Sequence, residues 1–177
     1  MNPLPLFLII VTLPLLLGGC GEKKVPAAVN NPDLEGVNNS EIVRISDIAY
    51  RIGSSTPYSG KSFQLDANGN KRAKANWKDG KYEGLLEVWN ESGQKKAEGN
   101  WKDGKLNGLG LEWHDNGTKK TNSNWKDGKH IDLVVKWHDN GQKHFEANYK
   151  YGGKKDGFVY TWHENGQKRS EENWKDG

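Results

Sequence analysis

The hexapeptide NWKDGK stands at residues 76–81, again at 100–105 and again at 124–129, and residues 173–177 begin a further copy with NWKDG. Aligned on the aromatic residue of this stretch, Trp77, Trp101, Trp125, Tyr149 and Trp174 follow one another at steps of 24, 24, 24 and 25 residues. Self-similarity at a fixed period of this size marks a repeat architecture, in which one unit is too small to bury its own apolar face and stacking of units completes it. A second aromatic column, Trp89, Trp113, Trp137 and Trp162, runs at the same period.

Glycines mark two turns in each unit. One set, Gly69, Gly93, Gly117, Gly141 and Gly166, follows Asn or Ser; the other, Gly80, Gly104 and Gly128, closes Lys-Asp-Gly. Asn-Gly and Asp-Gly between alternating segments are strong short-range hairpin signals. Each unit therefore reads as two strands and two turns, and the chain as an all-β antiparallel meander. Roughly ten strands at about 4.8 Å each extend some 45 Å.

Register follows from loop length. A three-residue loop at Lys102-Asp103-Gly104 would set Ala97 opposite Leu109, and a three-residue loop at Glu91-Ser92-Gly93 would set Ala97 opposite Glu87. Leu109, Leu111, Trp113, Ala97 and Trp101 then share one face, and Lys96, Glu98 and Asn100 the other. At the 25-residue step the extra residue within 149–154 is absorbed as a four-residue loop, so that Phe145 meets Phe158. These counts predict a single face carrying both aromatic columns.

The other end of the chain has a different character. Residues 4–17 are almost wholly apolar and run into Leu17-Gly18-Gly19-Cys20, a small-residue cleavage site ending in the one cysteine. A run this short spans a bilayer poorly. The pattern resembles a bacterial lipoprotein signal: residues 1–19 are cleaved and Cys20 becomes the acylated amino terminus. Several acyl chains anchor far more firmly than one. Residues 20–47, rich in Asn, Pro, Gly and Lys, read as a flexible tether, leaving 48–177 for five to six repeats. All eight tryptophans lie between Trp77 and Trp174, which sets this segment apart from disordered chains of similar polarity. Net charge is only +3, with both signs interleaved, and points to no nucleic acid.

The pattern Gly-Leu-x-x-x-Trp-x-x-Asn-Gly-Gln-Lys-x-x-Glu-x-Asn-Trp-Lys-Asp-Gly-Lys, clearest at 157–177 and 84–105, resembles the bacterial variant of the MORN repeat, found in proteins labelled YwqK-like antitoxins. Pro57-Tyr58-Ser59-Gly60-Lys61 is similar to that family's degenerate first unit, and the resemblance covers 49–177. It implies the fold and carries the antitoxin label with it.

His114, His138 and His163 form a column, but equivalent residues two strands apart are separated by roughly 9.5 Å. One zinc needs its nitrogens near 2.1 Å, so they cannot share an ion. Asp115, Asp139 and Glu164 read as turn formers, His130 and His144 as solvated, and Glu98, Glu146 and Glu171 as surface carboxylates paired across strands. Lys71, Lys95, Lys119, Lys143 and Lys168 make a basic row beside the turns. No phosphate loop, Cys cluster or nucleophile elbow is present. No catalytic, metal or cofactor residue is therefore expected. The expected function is that of a non-enzymatic lipoprotein of the cell envelope, membrane-bound through Cys20, facing the periplasm on an outer membrane where the cell has one. Its ribbon would engage a protein partner through the ladder Trp77, Trp89, Trp101, Trp113, Trp125, Trp137, Tyr149, Trp162 and Trp174. Glycan or peptidoglycan binding, with Trp89, Trp113, Trp137 and Trp162 as stacking platforms, is the second reading. Neutralisation of a toxin, which the resemblance implies, is the third.

Overall fold

The computed structural model describes residues 35–177, so the leader, Cys20 and the first part of the tether lie outside the described residues. Fourteen strands occupy the rest: β1 (Val37–Asn38), β2 (Ile42–Ile45), β3 (Ile48–Arg51), β4 (Gly60–Leu65), β5 (Lys71–Lys78), β6 (Lys81–Tyr82), β7 (Gly84–Trp89), β8 (Lys95–Lys102), β9 (Lys105–Trp113), β10 (Lys119–Lys126), β11 (Lys129–Trp137), β12 (Lys143–Lys150), β13 (Lys154–Trp162) and β14 (Lys168–Trp174). The chain-order meander β4-β5-β7 through β14 is antiparallel throughout, with β1 added in parallel to β4 and β6 paired to β5. The hairpin β2-β3 is a separate two-stranded sheet. Strands β1 and β2 thus lie within the span 20–47 that the composition assigns to tether.

The Lys-Asp-Gly turns differ from the expected loop. Lys102 pairs with Lys105, leaving only Asp103 and Gly104 between the strands, at φ 49° and 78°. Positive φ at both central residues is the type I′ turn, whose twist matches that of the strands it joins. Asp79-Gly80 and Asp127-Gly128 repeat these angles. The register is then reset inside the sheet. Trp101 pairs with Leu106, but Gly99 pairs with Gly110, so that three residues of β9 stand opposite Asn100 alone. Gly108, at φ 115° within this bulge, has its counterparts in Gly84, Asp132 and Gly157, all at positive φ.

At the other turn the three-residue loop is as expected. Trp89 pairs with Lys95 around Glu91-Ser92-Gly93, and the Gly93 N–H donates to the Asn90 carbonyl at 3.1 Å. A bulge then places Ala97 opposite Val88 rather than Glu87. The extra residue of the 25-residue step does lie in a turn. Lys150 pairs with Lys154, so that loop has three residues rather than four, and Phe145 meets Thr161, not Phe158.

These shifts overturn the single-face expectation. Ala97 faces Glu112, and Leu109 faces Asn124, because the two-residue Asp-Gly turn sets Trp101 opposite Leu106 rather than Lys105 and the one-residue bulge before Trp89 and its equivalents moves the residues beyond it to the opposite side; the bulge at Gly108 adds two residues and leaves the sides unchanged. The first face carries Trp77, Trp101, Trp125, Tyr149 and Trp174 with the buried Ala75, Ala97, Val134, Ala147 and Val159. The second carries Trp89, Trp113, Trp137 and Trp162.

On the first face a stack runs across the strands. Trp77 meets Tyr82 at a ring separation of 4.0 Å, and Tyr82 meets Trp101 at 5.3 Å. Leu106 is buried and pairs with Trp101. Trp125 meets His130 at 3.7 Å, His130 meets Tyr149 at 5.2 Å, and the Lys155 ammonium lies 4.6 Å from the Trp174 ring centre. Each junction of the NWKDGK column is filled by one member of a further column, Tyr82, Leu106, His130 and Lys155. The first turn is capped from the amino-terminal side. The Ala49 N–H donates to the Gly80 carbonyl and the Gly80 N–H to that of Tyr58, each at 2.8 Å. The latter bond recurs from Gly104 to Tyr82, which makes Tyr58 the first member of the column and 57–61 a degenerate first unit. Capping of a repeat array at its end is what such arrays require.

One position departs from its column for a steric reason. Leu86, Val134 and Val159 are buried where the intervening unit has Gly110. A Cβ on Gly110 would stand 2.9 Å from the Trp125 Nε1 and 3.2 Å from its Cδ1, both closer than contact allows. Gly110→Val, the change that repeat consensus would suggest, is therefore expected to lower stability by about 1–3 kcal/mol in denaturant unfolding. A neutral or stabilising result would show that Trp125 repacks freely.

Candidate interaction surface

The second face has a lane structure across the strands. Near the Lys-Asp-Gly turns, Leu85 faces Asn100, Leu109 faces Asn124, Leu133 faces Asn148 and Phe158 faces Asn173. These four apolar side chains are 40%, 42%, 42% and 47% exposed. The row is thus open to solvent in every unit, with amides set between its members. Asn76 begins the amide series, and its Nδ2 donates to the Leu85 carbonyl at 3.1 Å. The two-residue Asp-Gly turns and the one-residue bulges before the second tryptophan column make this possible. With longer turns or without those bulges the leucines would turn to the first face and compete with its stack.

At the other end of the strands lies the lane of Trp89, Trp113, Trp137 and Trp162. Here the basic row proves to be part of the packing. The Nζ of Lys71, Lys119 and Lys143 lies 4.3, 5.6 and 5.6 Å from the ring centres of Trp89, Trp137 and Trp162. Such contacts stabilise by about 0.5–1 kcal/mol at exposed sites. Lys95 instead bonds Glu87 at 2.8 Å and Glu98 at 2.6 Å, while Lys143 pairs with Glu146 and Lys168 with Glu171. The carboxylates Glu98, Glu146 and Glu171 accordingly act as clips within a strand, three residues from their lysines, rather than across strands.

The histidine column is structural. His114 Nε2–H donates to the Trp137 carbonyl at 2.9 Å, and His138 Nε2–H to that of Trp162 at 3.1 Å, so each ring ties its turn to the next unit. Asn116 and Asn140 do the same through Nδ2–H to the carbonyls of Asp139 and Glu164. Removing a hydrogen bond of this kind costs about 1 kcal/mol, so His114→Ala is expected to lower stability by that amount. A change within error in urea unfolding would reduce the column to turn decoration.

Of the two histidines read as solvated, one is not. His130 is half-buried between Trp125 and Tyr149, and burial, with Lys136 next, pushes its pKa down to about 4. His144 is exposed as read; its ring meets that of His138 at 4.6 Å, tilted, and partial burial lowers its pKa. Sequence could have shown the role of His130, since it stands at the 24-residue spacing from Tyr82 and Leu106. An open hollow of about 590 Å³ is lined by His138, His144, Trp162, His163, Glu164, Asn165, Gln167 and Arg169. No group of three His, Cys, Asp or Glu side chains able to hold a metal ion is found among the described residues.

The arrangement is that of a tandem-repeat protein built as one two-sided antiparallel sheet. Two stretches, 82–103 and 155–176, match the family model described as MORN repeat variant. No curated protein matches the chain.

Proposed function

We propose that this chain is a non-enzymatic interaction module whose second face binds a protein partner, held at the cell envelope by acylation of Cys20. The observation that carries the reading is the row Leu85, Leu109, Leu133 and Phe158, exposed at the same register position in four successive units. Single exposed apolar groups need no explanation, but their recurrence at one position of every unit, each beside an amide, supports a contact surface. The same face argues against the glycan reading, because lysine ammonium groups already lie over the rings of Trp89, Trp137 and Trp162 where a sugar would stack. Toxin neutralisation would be one form of protein binding, and the partner's identity decides it.

A photoreactive residue placed at Leu133 in cells should form adducts with a discrete protein, while one at Lys136, on the first face, should form few. Equal labelling from both positions, or none, would overturn the reading. Cys20→Ala should abolish incorporation of labelled fatty acid and release the chain from the membrane fraction. Retention with the label intact would refute the anchor.

A further inference from the structure

We propose that the Leu–Asn lane of the second face takes an acidic protein segment in the polyproline II conformation, laid across the strands; this deepens the interaction-module reading and rests on it. Spacing carries the first part. Equivalent side chains in successive units lie two strands apart, roughly 9.5 Å. A polyproline II chain advances about 3.1 Å per residue with three residues per turn, so it presents the same side every 9.3 Å or so. Leu85, Leu109, Leu133 and Phe158 would then each meet every third residue of such a ligand. A ligand in β conformation repeats its side chains at about 6.7 Å and falls out of step by the second unit.

Hydrogen bonding carries the second part. A polyproline II backbone has no internal hydrogen bonds, and its carbonyls need outside donors. Asn100, Asn148 and Asn173 are exposed beside the apolar row, and their side-chain N–H groups supply one donor position per unit.

Charge selects the ligand's third face. Lys78 faces Lys81, Lys102 faces Lys105 and Lys126 faces Lys129 directly across the turns, all six exposed. Like charges placed opposite one another destabilise a sheet. None of these six forms an ion pair among the described residues; only at the fourth such pair is Lys150 engaged, by Asp156 and Asp176. Lys126 stands one same-face step beyond Asn124, roughly 6.7 Å along the strand. A carboxylate on every third ligand residue would therefore sit at this rim while the apolar residues cover the leucines.

The probe is a fluorescein-labelled (Pro-Pro-Glu)6 peptide, titrated by anisotropy against the full-length chain in detergent at low salt. Binding is expected, weakened at least tenfold by the pair Lys102→Glu and Lys126→Glu, and by Leu109→Ser, each variant keeping its far-ultraviolet circular dichroism. A (Pro-Pro-Lys)6 peptide, and one of the acidic composition with its glutamates in a single block, should each bind at least tenfold more weakly. Absence of binding, equal affinity for the block peptide, or indifference to Leu109→Ser overturns the proposal. If the peptide fails while Leu133 still captures a protein in cells, the ligand class is wrong and the broader reading stands; if capture fails, that reading falls with it.

Discussion

Trp125→Ala is expected to lower stability by about 3–5 kcal/mol, the usual cost of deleting a large buried aromatic side chain, and Trp113→Ala by about half of that or less. The two residues are twelve apart and look interchangeable as tryptophans of one repeat. Their surroundings differ. Trp125 is 9% exposed, donates its Nε1–H to Ser123 at 2.8 Å and stacks on His130 at 3.7 Å. Trp113 is only half-buried, on the second face. In a linear array each unit contacts only its neighbours, so the loss from Trp125→Ala should be local. Amide hydrogen exchange is expected to lose protection first in β9 to β12, with β5 and β7 little changed. Equal unfolding midpoints for the two variants would mean that the two faces bury their aromatics alike.

Acidification from pH 7 to pH 4 should destabilise the fold by about 2 kcal/mol through His130. In the unfolded chain this histidine titrates near 6.5, whereas in the fold it resists protonation down to about 4. The unfolded state therefore binds the proton first, and stability falls as pH drops through 6.5 and levels off below about 4. A shift of that size corresponds to about 3 kcal/mol, reduced here because the ring is only half-buried and solvent screens its charge. The repeat supplies its own control. Leu106 occupies the same column with no charge, so His130→Leu should flatten the unfolding midpoint between pH 7 and pH 4. The smaller slope that remains comes from His144, whose lowered pKa also comes first from burial, and, towards pH 4, from carboxylates such as Glu35, Asp66 and Asp156 that hydrogen bonds hold below their usual range. A wild-type midpoint independent of pH would place His130 in solvent after all.

Period, strand count, turn positions and the antiparallel meander are all legible in the spacing of NWKDGK and Asn-Gly, because hairpin turns demand particular residues and a repeat must stack on itself. Two of the loop details were legible as well: Glu91-Ser92-Gly93 is the three-residue loop, and the added residue of the fourth step lies in its turn. The division of the tryptophans between two faces was not. It depends on the two-residue Asp-Gly turns and on the one-residue bulges before Trp89, Trp113, Trp137 and Trp162. A one-residue slip reverses every later side chain, and nothing in a period-two pattern announces it. His130 likewise reads as a stray polar residue until the sheet sets it between Trp125 and Tyr149. That the chain repeats one hairpin can be read from its residues; which side of each hairpin packs and which is offered outward follows only from the pairing of strands, because register is a property of the pair.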